Sequence, residues 1–143
     1  MSFNLWRRTT SRYKEKANEE LWEKDAFKKE AKNASEVLRV SSLKCFGFDA
    51  NRFDTLLLLD IIKVVEKTKN EIKPDLIITH SSSDLIVGHR LTHQAVMTAF
   101  HPDIESNRFR ITTFESLSST EYQDQAMSTF RPNCYVDIKA HLS

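Results

Sequence analysis

The sequence predicts an α/β protein with a mainly parallel sheet of about four strands flanked by helices. Three observations carry this expectation. Short apolar or β-branched runs alternate with longer amphipathic ones along the chain, the order in which βα units are strung. "DLIITH" (Asp75–His80) is a continuous β-branched run, which marks a strand covered on both faces. "LLLLDIIKVVEKTKNEI" (Leu56–Ile72) repeats apolar residues at helical spacing and is followed by Pro74, which bars further helix and pushes Lys73 towards an extended conformation.

The elements follow in order. Residues 1–12 are expected as loop or disordered chain: "MSFNLWRRTTSRYKEK" has basic residues but no apolar stretch behind them, so it is not a secretory signal. Tyr13 to Leu38 reads as one long helix or two abutting ones. Leu21, Ala26, Phe27, Ala31, Ala34, Val37 and Leu38 fall mostly three or four apart, with Lys and Glu on the solvated face. "LKCFGF" (Leu43–Phe48) is a buried strand running into the loop "DANRFDT". The helix Leu56–Ile72 and the strand Asp75–His80 come next, then the loop "SSSDLIVG" and a helix over His89–Phe100. "FRITTFE" (Phe109–Glu115) and "NCYVDI" (Asn133–Ile138) complete the predicted strands. Leu43–Phe46 is expected to pair directly with Leu76–Thr79, or the open edge to pair with another chain.

Composition excludes several classes. At 143 residues the chain is one domain, 1–143, able to bury roughly two-thirds of its unfolded surface. Its 21 basic residues nearly match 20 acidic ones, so nucleic acid is not an expected partner. No apolar run approaches the ~20 residues that span a bilayer. The two cysteines, Cys45 and Cys134, are too few for a disulfide scaffold and too far apart for a local zinc knuckle, so a cytoplasmic protein with reduced thiols is expected. Only Gly47 and Gly88 are glycine, which excludes a Gly-rich phosphate loop.

Chemistry is sought where a parallel sheet presents it, beyond the carboxyl ends of its strands. His89 and His93 stand one helical turn apart. That spacing suits a metal pair, but the motif needs a Glu beside the first His, and Arg90 is there. The alternative is a helix with one inward and one surface histidine. "HPD" (His101–Asp103) holds two ligand types but follows a helix, where Pro acts as a stop. "SSTEY" (Ser118–Tyr122) lines a pocket or is a plain loop. Asp49, Asn51, Arg52 and Asp54 are expected to pin their loop by hydrogen bonds.

The segments "FGFDANRFDT", "KPDLIITHSSSDLIVGHRLTHQAV", "FESLSSTEY" and "FRPNCYVDI", in that order, resemble the PIG-L/LmbE-like family of zinc-dependent N-deacetylases over nearly the whole chain, Tyr13 to Ile138. The resemblance implies a Rossmann-like fold and removal of acetyl from N-acetylated amino sugars, often N-acetylglucosamine in a glycoconjugate. It implies zinc held by a His and an Asp of a His-Pro-Asp-Asp segment after the first strand and by a His opening a later helix, with a neighbouring Asp as general base. The later ligand falls on His89. The His-Pro-Asp-Asp segment does not occur, so the resemblance implies a chain lacking the family's first βαβ unit. Gly88 replaces an Asp and Ile86 a polar residue beside the ligand. Candidate pocket residues are His80, Asp84, Arg52, Glu115, Ser119 and Glu121. The expectation is a deacetylase relative that is inactive as it stands and does not hold zinc tightly, or else a non-catalytic subunit that binds a sugar or a partner. A homodimer or a complementing chain is the expected assembly.

Overall fold

A computed structural model describes residues 2–7, 17–49, 56–101, 109–117, 119–120, 122 and 129–141. Its elements are β1 (Ser2–Arg7), α1 (Ala17–Val37), β2 (Ser42–Asp49), α2 (Leu58–Ile72), β3 (Leu76–His80), α3 (Val87–Ala99) and β4 (Arg110–Phe114), then a 3-10 turn at Lys139–His141. β1 and β2 pair in parallel from Ser2 opposite Ser42 to Trp6 opposite Phe46, with an irregularity before Arg7. β3 and β4 also pair in parallel, from Leu76 opposite Arg110 to His80 opposite Phe114. Parallel neighbours cannot be joined by a tight turn; α1 and α3 are the respective crossovers.

The α/β class and the alternation of elements agree with the sequence pattern, and five corrections are needed. The amino-terminal residues, expected as loop over 1–12, include β1 at Ser2–Arg7; residues 8–12 lie outside the described chain. β1 supplies the neighbour that β2 requires, so Leu43–Phe46 pairs with Phe3–Trp6 and not with Leu76–Thr79. Asn133–Ile138 forms no strand. Tyr135 and Val136 stand 80% and 79% exposed, and without a neighbouring strand an extended segment has nothing to lock it. β3 is covered on one face only: Ile77 and Thr79 turn inward while Leu76 and Ile78 are about half exposed. Lys73 is left-handed (φ 49°, ψ 59°), not extended. There its N–H reaches the Lys69 carbonyl at 2.8 Å and satisfies an orphan acceptor of the last turn.

The core sits between α2, α3 and the inner face of the β3–β4 pair. Ile61, Ile62 and Val65 of α2 meet Ala95, Val96 and Ala99 of α3, and Phe100 just beyond it. These positions repeat every three or four residues on each helix, so both stripes face one another. Phe48, Leu56, Ile77, Leu91, Phe109 and Ile111 close the periphery. The small Ala95 and Ala99 let α3 approach closely. Lys69 finishes the join: its Nζ donates to the Ala99 carbonyl at 2.9 Å and lies 5.3 Å from the Phe100 ring centre. A cation at a helix carboxyl end is favoured by the dipole, and over a ring by the quadrupole. Lys44 of β2 pairs with Glu71 of α2, and this pairing holds the Glu71 carboxyl below its usual range.

Candidate metal centre

The carboxyl ends of β3 and β4 carry two loops that interlock. After His80 the run of short polar residues folds on itself. Ser81 and Ser83 join hydroxyl to hydroxyl at 2.8 Å, and the Asp84 N–H donates to the Ser81 carbonyl at 3.4 Å. After Phe114, the Ser119 and Thr120 N–H groups close on the Ser116 carbonyl at 2.9 and 2.7 Å, and the Ser116 N–H donates to Thr120 Oγ1 at 2.9 Å. The Leu85 N–H donates to the Ser119 carbonyl at 3.2 Å and ties one loop to the other. Short hydroxyl side chains that bond to nearby backbone make such loops rigid without an apolar core of their own.

Asp84 is the centre of this arrangement and is 1% exposed. Its Oδ1 accepts the Ile86 N–H at 2.9 Å, an Asx turn that sets the entry to α3. Its Oδ2 accepts from His89 Nδ1–H at 2.9 Å and from the Ser119 hydroxyl at 3.0 Å. Burial pushes the carboxyl pKa up, but the bonds from His89, Ile86 and Ser119 outweigh it and hold the group below its usual range. Asp84 is therefore an anion at neutral pH. Because His89 donates through Nδ1, Nε2 is the ring nitrogen left to face a metal, the orientation that a carboxylate gives a metal-binding imidazole.

The partner of His89 is not His93. His93 turns to the strand end, where its Nδ1–H donates to the His80 carbonyl at 2.9 Å. His80 stacks on His89 instead, ring centres 3.8 Å apart and planes 10° apart, and its ring also meets that of Phe114, tilted by 53° with centres 4.8 Å apart. Burial, reinforced by the nearby His89, lowers the His80 pKa to about 4, with Asp84 opposing the shift. The ring is neutral at physiological pH, and its Nδ1 is buried with no hydrogen-bond partner among the described residues. His80, Asp84 and His89 offer ligand atoms that all lie within 4.8 Å of one another. Two imidazoles and a carboxylate are the donor types of open zinc sites, so the residues present fit a zinc-class ion.

Four of the residues singled out from the sequence thus meet: His80, Asp84, His89 and Ser119. Glu115 is exposed just past the end of β4. Arg52 and Glu121 lie outside the described residues, as do Asn51, Asp54, Pro102 and Asp103. His101 is exposed just past the end of α3. Gly88 is buried, its carbonyl accepting the Thr92 hydroxyl at 2.7 Å, and Ile86 is 43% exposed. Arg90, which stands where a zincin has its general base, grips the Asp84 and Leu85 carbonyls at 2.6 and 2.7 Å. The sequence signal for the His80–His89 pairing lay in position alone, a histidine ending a strand one loop before a helix that opens on another.

The class defined by this fold and site is an α/β protein with an imidazole–carboxylate centre beyond the carboxyl ends of a parallel strand pair. The family of GlcNAc-PI de-N-acetylases (PIG-L) matches residues 8–100, well over half of the chain, and the chain belongs to that family. No curated protein and no solved structure matches the chain. Among the described residues no helix is long and apolar enough to cross a membrane.

Proposed function

We propose that this chain is a deacetylase-type protein for N-acetylated amino sugars that keeps the imidazole side of its family's metal centre but does not turn substrate over as it stands. The observation that carries the reading is the Asp84–His89 pair, in which a buried anion fixes the tautomer and direction of the imidazole to which the family resemblance assigns a metal. The two parallel strand pairs are read as parts of a Rossmann-like sheet. His80, Ser119 and Glu115 are read as rim residues of the same site; Arg52 and Glu121, the other rim candidates, lie outside the described residues.

A zinc ion, when bound in this family's manner, lowers the pKa of a water and polarises the amide carbonyl. This chain's own residues orient His89 through Asp84, hold Asp84 through Ser119 and Ile86, and keep His80 neutral against the ring of His89. None of them is a free general base. Asp84 is the buried carboxylate of the site, and all three bonds to it restrain it in place. The His-Pro-Asp-Asp segment that brings the remaining family ligands and the base is not in this sequence. Through the family's ligand set the chain therefore contributes His89 alone, too few ligands for tight zinc, which takes three or four.

A second reading, a non-catalytic subunit that binds a sugar or a partner, is favoured by Ile86 and Gly88. An exposed aliphatic chain and a bare backbone stand where the resemblance expects polar groups beside the ligand. The protein is placed in the cytoplasm, without nucleic acid, and as a homodimer or with a complementing chain. Acetate release from an N-acetylglucosamine conjugate with excess zinc tests the reading. The expected result is no release above a zinc-only blank. Release by the wild type that a His89→Ala variant fails to give would sink it.

A further inference from the structure

We propose that Asn133–Ile138 is a donor strand that adds antiparallel to the free edge of β4 in a second copy of this chain, exchanged reciprocally so that two copies close into a two-fold dimer. This surface gives the homodimer assigned above its interface and is independent of the deacetylase chemistry.

The segment has the pattern of a strand and the exposure of an unused one. Cys134, Val136 and Ile138 alternate with Asn133, Tyr135 and Asp137, an apolar face against a more polar one. Yet Tyr135, Val136 and Ile138 are 80%, 79% and 52% exposed, and every residue from 131 to 141 is exposed. Large apolar side chains gathered on one free segment mark an interaction site. The acceptor is open too. β4 has β3 as its one neighbour among the described residues, and Thr113 is exposed although it falls on the same side of the strand as the half-buried Ile111. A two-stranded sheet is marginal alone, and its edges offer backbone donors and acceptors to a further strand.

Chemistry selects the register. Set antiparallel with Asp137 opposite Arg110, the segment continues the cross-strand rows that β3 and β4 already form. Asp137 extends the row of Leu76 and Arg110, Val136 that of Ile77 and Ile111, and Tyr135 that of Ile78 and Thr112. Val136 then meets Ile111 on the inner face, and Tyr135 shields Ile78, which is 55% exposed, on the outer one. Asp137 and Arg110 are exposed, and neither has an ion-pair partner among the described residues. Asp137 Oδ1 accepts the Lys139 N–H at 3.0 Å, which leaves Oδ2 for the guanidinium. Pro132, which cannot donate to a ladder, falls past the end of β4. A parallel setting loses these matches: with Asn133 opposite Arg110, it carries Arg131 towards that cation and puts Asp137 opposite Phe114. Within one chain donor and acceptor stay apart. Reciprocal exchange joins both, and the second ladder forms at high effective concentration once the first exists. A foreign peptide makes only one ladder.

The test is a cross-link on a Cys45→Ser background, with Thr113→Cys placed opposite the native Cys134. Directly opposed residues of an antiparallel pair have Cα atoms about 4.5–5.5 Å apart, inside the span of a disulfide. Mild oxidation of the full chain should give a covalent dimer joined from position 113 of one copy to Cys134 of the other, identified by peptide mapping. A control with Lys63→Cys on α2 in place of Thr113→Cys should give far less. A disulfide closed within one chain overturns the proposal, because the segment then returns to its own β4. So does a yield no higher than the control. Sedimentation at rising concentration, from micromolar upwards, reads the same surface without a cross-link. The wild type should dimerise, Arg110→Glu or Asp137→Arg should each weaken the dimer at least about fivefold, and the two together should restore it to within about twofold. A wild type that stays monomeric, or charge reversals that leave the dimer unchanged, refutes the proposal. The substituted positions at 110, 113 and 137 are all exposed, and circular dichroism verifies that each variant is folded. Neither readout involves acetate release, so failure here and failure of the deacetylase reading are separate results.

Discussion

Lowering the pH should destabilise this protein through one side chain before its carboxylates matter. His80 has a folded-state pKa lowered from 6.5 to about 4, chiefly by burial and next by His89. As pH falls through 6.5 the unfolded chain takes up a proton that the folded chain refuses until about 4. The unfolded state then binds more protons, so stability drops across that window and is level above it. At 1.36 kcal/mol per pH unit the full shift corresponds to about 3.4 kcal/mol. The ring is only partly buried, and solvent screening roughly halves this, to about 1.5–2 kcal/mol. Asp84 acts lower on the scale. Its folded carboxyl sits below the ordinary value of 3.8, so its contribution is present at neutral pH and is lost only below that value. The assay is urea unfolding with chelator present, at steps from about pH 7 to about pH 4, on wild type and His80→Gln. The wild type should lose about 1.5–2 kcal/mol more than the variant, with the difference opening below pH 6.5. Parallel curves for the two proteins, or a wild type that gains stability on acidification, would refute the reasoning.

Two further outcomes follow from the backbone and the core. Arg39 holds φ 51° at the end of α1, where Val40 N–H bonds the Ser35 carbonyl at 2.8 Å and Arg39 N–H the Glu36 carbonyl at 3.0 Å; this Schellman ending favours Gly. Arg39→Gly should raise the unfolding free energy by up to about 1 kcal/mol, and a loss measured by urea titration would contradict the cap assignment. Ile61 is fully buried at the α2–α3 contact, and Ile61→Ala should cost about 2–5 kcal/mol. A denaturation midpoint within error of wild type would mean that this contact is not the core.

The local elements were legible in the sequence because they rest on short-range physics. The repeat of apolar residues fixes α2 and α3, and β-branched runs fix β3 and β4, whatever lies beyond them. Asp84 and Ser119 could be suspected because short polar residues gather at strand ends. What the chain alone did not disclose is pairing. β1 reads as an ordinary basic tail until β2 lies against it. β3, which looks sealed on both faces, has one face open because both packing helices lie on the other. The two histidines one turn apart on α3 divide between different tasks, and the stack of His80 on His89 joins residues separated by a loop. A strand's neighbour, a sheet's covered face and an imidazole's partner are set by contacts between distant parts of the chain, and no local window of sequence contains both members of such a contact.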